Sequence, residues 1–120
     1  MARDEPTKHK SYQLALKLVR VARALQQEHR EFVLSRQLLR SGTSIGANVE
    51  EATAAQSKND FIAKMAIASK EARETHYWLR LLRDSNYLDK KQAVELIADC
   101  SELIRLLTAI VKTAQLNTQH

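Results

Sequence analysis

The sequence predicts an all-α protein, an up-down-up-down antiparallel four-helix bundle forming one domain over residues 1–120. Three observations carry this. One proline, at position 6, and two glycines are too few turn formers for a β protein with many strands. Apolar residues recur at helical spacing in four stretches, about 8–27, 35–55, 58–84 and 89–115. The connections between these stretches are short, which makes neighbouring helices antiparallel. The length of 120 residues suits a single core, and 44% hydrophobic with 28% charged residues is ordinary for a folded soluble domain.

Residues 1–7 have no apolar run to bury and read as a frayed leader. In the first helix, Tyr12, Ala15, Leu16, Val19, Ala22 and Leu25 or Ala24 form the expected apolar side. Lys10, Gln13, Lys17, Arg20 and Gln27 form a stripe opposite, and Lys8 and Arg23 are further cations of the same helix. No acidic residue lies between Glu5 and Glu28, so this helix has a segregated positive charge that points to an anionic contact.

Residues 28–34 (EHREFVL) carry the chain round a turn, and Ser35 is the expected N-cap of the second helix. Both glycines, Gly42 and Gly46, fall inside that helix, where each costs about 1 kcal/mol against alanine. Placed four residues apart, they imply a neighbouring helix at unusually close range. Leu38, Gly42, Ile45, Val49 and Ala52 share one side; Arg40, Ser44, Asn48 and Glu51 share another that is small and polar.

Ser57 with Asp60 is a capping box opening the third helix. Its seam, Phe61, Met65, Ala68, Ala72, Thr75, Leu79 and Leu82, alternates steps of four and three, as in a left-handed bundle. Ile67, Glu71, Glu74, Trp78 and Leu81 lie about a quarter turn or more away, which gives this helix a second face and points to contact between subunits. Lys70, Arg73 and Arg80 occupy a further side beside Tyr77. Residues 84–87 (DSNY) turn the chain, and Asp89 with Gln92 caps the fourth helix. Its seam takes Val94 or Leu96, Ile97, Leu103 or Ile104, Leu107, and Ile110 or Val111; residues 116–120 are expected to be unstructured.

Several chemistries find no support. A di-iron bundle needs Glu three residues before His on two helices, and Pro6, Gln26, Arg73 and Asn117 hold those positions before His9, His29, His76 and His120. GTSIG lacks the lysine and the setting of a phosphate loop. Cys100 falls in an apolar pattern and reads as a small buried thiol. Glu71 and Glu74 have no candidate cleft or companion nucleophile, so pairing with Arg40 or another arginine across a helix interface is their simpler role. No catalytic residue, metal ligand set or cofactor motif is assigned. No apolar run approaches the roughly 20 residues of a membrane span, and the opening MARDEPTKHK has no apolar signal region. A lone cysteine fits a reducing compartment, so a cytoplasmic protein is expected.

A net charge of +5, a pI near 9.6 and basic stripes on the first and third helices favour phosphate contact. Aromatic residues make up only 5%, and no base-reading motif is present, so such binding would be backbone-directed and salt-sensitive.

The segments RSGTSIGANVEE (40–51), SKNDF (57–61) and EARETHYWL (71–79) resemble the bacterial four-helix bundle proteins linked to intervening sequences of large-subunit ribosomal RNA, the S23 or intervening-sequence family. The resemblance extends from about Ser11 to Leu116; many members have Pro at the position of Gly46 and Gly at that of Ala52. It implies a bundle that assembles into a homopentameric ring with a central channel. It also implies kinship with the accessory protein of diversity-generating retroelements, which works with a reverse transcriptase and nucleic acid. Arg40, Ser44, Asn48, Glu51, Phe61, Glu71, Glu74 and Trp78 are its signature and assembly positions, and the resemblance carries no catalytic residues.

The expected function is therefore that of a non-enzymatic homo-oligomer binding RNA or DNA through Lys10, Lys17, Arg20, Arg23, Lys70, Arg73 and Arg80. The alternative is a structural or adaptor protein whose partner is another protein. Enzymatic use of Glu71 and Glu74 is the remote third reading.

Overall fold

The computed structural model describes residues 5–118. These form α1 (Glu5–His29), α2 (Leu34–Thr53), α3 (Lys58–Asp84) and α4 (Lys90–Thr118), with no strand among the described residues. The connections occupy only residues 30–33, 54–57 and 85–89, so each helix folds back along its predecessor. The helices align with the long axis of a body measuring 52 × 21 × 20 Å. Each packs on its sequence neighbours, and α1 closes the ring of contacts against α4, the loosest of the four helix pairs.

Burial on α1 follows Thr7, Ser11, Leu14, Leu18, Val21 and Leu25, together with Ala22. This corrects the expected face: Tyr12 is 63% exposed and Leu16 36%. The true seam opens with two small polar residues, and a reading by hydrophobicity alone rotates past them to Tyr12. Ser11 belongs inside because α2 approaches there and because its hydroxyl is satisfied by donating to Lys8 O at 3.0 Å. The helix also begins earlier and ends later than expected, taking in Glu5 to Thr7 of the supposed leader; residues 1–4 lie outside the described residues.

The close approach foreseen from the glycines is made by α1. A Cβ on Gly42 would overlap Leu18 Cδ1, whereas one on Gly46 would lie 3.4 Å from Ser11 Oγ. The expected core side of α2 is buried throughout: Leu38, Gly42, Ile45, Val49 and Ala52. Ser35 does not cap this helix. It lies within the first turn, where the Glu31 carboxylate accepts its backbone N–H at 2.9 Å, while its own hydroxyl donates to Glu31 O at 2.7 Å. Glu31 thus satisfies one of the N–H groups left free at the start of the helix.

The α3 seam is as expected, with Met65 through Leu82 buried and Phe61 half-buried against the core. Ser57 caps the helix, accepting the Asp60 N–H at 3.1 Å. Ser41 and Thr75 hydroxyls meet at 2.9 Å in the buried α2–α3 contact. At the other end Asn86 (φ 67°) lets Tyr87 N–H reach Leu82 O and Asn86 N–H reach Arg83 O, a Schellman termination. Asp89 caps α4 by accepting the Gln92 N–H at 2.7 Å. Of the alternatives on α4, Leu96, Leu103 and Ile110 are buried, while Val94 points to solvent. The helix continues through residues 116–118 of the expected tail; 119–120 lie outside the described residues.

Candidate functional site

The polar row of α2 meets α3 at a small ionic cluster. Arg40 Nη1 donates to Glu71 at 3.3 Å and Arg40 Nη2 to Glu74, while Trp78 Nε1 donates to the same Glu74 oxygen at 2.9 Å. Thus one guanidinium serves two carboxylates, and the indole N–H fixes the second of them. Of the arginines that the sequence offered as partners for Glu71 and Glu74, the structure selects Arg40. Ser44 and Asn48 turn back onto their own helix, donating to Arg40 O and Ser44 O. Glu51 faces Lys64 at 4.0 Å. Clefts of about 670 Å³ and 510 Å³ lie at the two ends of the bundle, against residues 83–94 and around Ser57 and Phe61; neither is lined by Glu71 or Glu74.

The structure divides the expected basic residues into two groups. On α1, Lys10 pairs with Glu102 at 3.0 Å, and Lys17 pairs with both Asp99 at 2.8 Å and Glu95 at 3.0 Å. Those hydrogen bonds to Asp99 and Glu95 raise the Lys17 pKa above its ordinary value. The α1 stripe is therefore largely neutralised by α4, and only Arg20 and Arg23 have no carboxylate partner among the described residues.

On α3, Lys70, Arg73 and Arg80 remain exposed and have no carboxylate partner among the described residues. Arg73 Nη2 reaches over α4 to donate to Thr108 Oγ1 at 3.3 Å. Arg105 and Lys112, three residues before and four after Thr108, share its side of α4. Both are exposed and likewise unpaired among the described residues, and α4 has no acidic residue from Leu103 to Asn117. The α3 and α4 cations thus form one acid-poor face, about 15 Å long from Lys70 to Arg80. Tyr77 lies within it, with the Arg80 guanidinium 5.8 Å from its ring centre. Arg105 and Lys112 were missed in the sequence because the fourth helix was read only for its core; their spacing about Thr108 was the available signal.

Cys100 lies on the opposite, inner side of α4. It is fully buried, its thiol contacts Ala72 O at 3.1 Å, and burial pushes its pKa to about 12. The group is a packed thiol at neutral pH. No helix of the described residues is long and apolar enough to cross a membrane.

Comparison with known proteins agrees with the sequence resemblance. Residues 4–109 match the family model of the 23S rRNA-intervening sequence protein. A crystal structure of a protein of unknown function from the S23 ribosomal protein family of Bacteroides thetaiotaomicron superposes with a TM-score of 0.89 at 47% identity, covering 92% of this chain and 98% of that one. No curated protein matches the chain.

Proposed function

From the premise that this chain belongs to the 23S rRNA-intervening sequence protein family, we propose that it is a non-enzymatic, self-assembling cytoplasmic bundle that binds the phosphate backbone of RNA or DNA. The observation that carries the binding is the α3–α4 face, where Lys70, Arg73, Arg80, Arg105 and Lys112 have no carboxylate partner among the described residues. Phosphate contact requires cations not already neutralised within the protein. The face meets that requirement and Lys10 and Lys17 do not. Arg20 and Arg23 are a smaller accessory pair. The assembly is a ring, of five subunits by the likeness to the family, which multiplies the basic face around an axis and so raises avidity for a long polyanion.

The test is fluorescence anisotropy with a labelled single-stranded RNA and a duplex DNA over a salt series. Affinity should fall steeply with salt in the parent. Arg73→Glu/Arg105→Glu should weaken binding to both probes and lower the salt slope by about 2, one per lost phosphate contact. Lys17→Glu should have a far smaller effect. Absence of binding by the parent at low salt would favour the adaptor reading, with the basic face meeting an acidic protein.

A further inference from the structure

Three tyrosine, phenylalanine or tryptophan side chains stand exposed among the described residues: Tyr12 on α1, Phe32 in the α1–α2 connection and Tyr77 on α3. Of these, Tyr77 is the one on the α3–α4 basic face. It is 49% exposed, and its hydroxyl has no hydrogen-bond partner among the described residues. The ring nevertheless has a fixed place. Trp78 meets it edge-on, with ring centres 5.0 Å apart and planes at 73°, and Trp78 is itself held by the hydrogen bond from Nε1 to Glu74 at 2.9 Å. The Arg80 guanidinium lies 5.8 Å from the Tyr77 ring centre. A surface that binds phosphates alone has no need of a large, oriented aromatic ring facing water; a surface that also takes up an unpaired base uses one.

The charges around the ring suit the same ligand. At 1.5 Å and 100° per residue, Arg73 lies about 6 Å before Tyr77 along α3 and Arg80 about 4.5 Å after it, both within about 60° of its direction. Neither arginine has a carboxylate partner among the described residues. Glu74, three residues before Tyr77, is engaged by Arg40, and Asp84, seven after it, by Arg83. A base laid on the ring would thus have a cation on each side for the phosphates that flank it. In a duplex both faces of each base are already stacked on neighbours, so the ring adds nothing there. An unpaired base gains a stacking contact and keeps its phosphate contacts.

We infer that Tyr77 is a stacking platform for an unpaired nucleobase, which directs the α3–α4 face towards single-stranded nucleic acid, with Arg73 and Arg80 on the flanking phosphates. The inference rests on the phosphate binding proposed above and names the form of nucleic acid that the face takes.

Fluorescence anisotropy at fixed salt tests it with three labelled probes: a thymidine single strand, an abasic strand of the same length, and a duplex closed at both ends by non-nucleotide linkers. The parent should bind the thymidine strand about 5- to 150-fold more tightly than the abasic strand, the range for one base stacked on an aromatic side chain. Tyr77→Phe, which keeps the ring, should keep that ratio. Tyr77→Ala should bring it close to one and weaken duplex binding far less than single-strand binding. Circular dichroism melting checks the fold and sedimentation velocity the mass; Tyr77→Gln replaces Tyr77→Ala if the latter unfolds. Equal affinity of the parent for the thymidine and abasic strands, or a preference that Tyr77→Ala retains, overturns the platform and leaves phosphate binding standing. A Tyr77→Ala protein whose mass differs from the parent's would place the ring in a contact between copies and overturn the platform as well. A parent that binds none of the probes at low salt overturns the phosphate reading itself, and the platform with it.

Discussion

Leu18 occupies the space that a side chain at Gly42 would need. A Cβ there would overlap Leu18 Cδ1, and Leu18 is itself fully buried. Gly42→Ala gains about 1 kcal/mol of helix propensity but incurs overpacking of about 1–3 kcal/mol, so it should lower stability, and Gly42→Leu should lower it further. In a Leu18→Ala background, where the obstructing carbons are gone, Gly42→Ala should instead stabilise. Urea unfolding of the four variants measures the sign change. A Gly42→Ala protein more stable than the parent would mean that α1 and α2 do not need their close approach.

Gly46 provides the contrast one turn on. A Cβ at that position would make an ordinary contact, 3.4 Å from Ser11 Oγ. Gly46→Ala should therefore keep most of the propensity gain, up to about 1 kcal/mol, and raise the melting temperature by a few degrees. Thermal melts of Gly42→Ala and Gly46→Ala should move in opposite directions.

What the sequence disclosed and what it hid have separable physical causes. The four helices, the α3 seam and the Ser57 and Asp89 caps depend on local spacing and were legible. The tie between Arg40 and the α3 glutamates was legible as well, since two acids three residues apart need a cation. The α1 face differs from the expected one because two small polar residues, Thr7 and Ser11, are buried, the latter with its hydroxyl satisfied by Lys8 O, which hydrophobicity does not score. Neutralisation of Lys10 and Lys17 depends on the register of α1 against α4, some 80 residues away, where Glu95, Asp99 and Glu102 fall opposite them. Only the packed structure moves the weight of the basic surface from α1 to α3 and α4.

Arg40 holds two carboxylates, one of which, Glu71, has a side chain only 13% exposed. Arg40→Ala leaves both without their cation in a partly dry setting. With Arg40 itself half-exposed, solvent screening keeps the cost near 1 kcal/mol rather than the several expected for a fully buried pair. A double-mutant cycle of Arg40→Ala with Glu74→Gln should return a favourable coupling of about 0.5–1 kcal/mol. Zero coupling would reduce the cluster to a surface pairing without energetic weight.

Cys100 should behave as a reporter of global opening. With no solvent access and a pKa near 12, its thiolate is scarcely populated in the native state. A thiol-alkylating reagent at mildly alkaline pH should leave the folded protein unmodified and label it fully in denaturant. Mass spectrometry reads the outcome, and rapid labelling of the native protein would show that α3 and α4 separate around Ala72.

His76 gives the bundle a dependence on mild acid. Its Nδ1 accepts a hydrogen bond from Arg80 Nε at 3.1 Å, so protonation would set two donors against each other. Burial is the main cause lowering its pKa, and the charges of Arg80 and Arg83 add to it. The unfolded chain therefore binds the proton more readily than the folded one: stability is intact above the ordinary value of 6.5 and is lost as pH falls through the lower folded value. Urea midpoints taken about a unit above and a unit below that ordinary value should separate more in the parent than in His76→Gln. The remaining drop in the variant belongs to the carboxylates and is common to both proteins. Equal separations would show that His76 takes up its proton in the folded state as easily as in the unfolded one, with Arg80 free to swing aside.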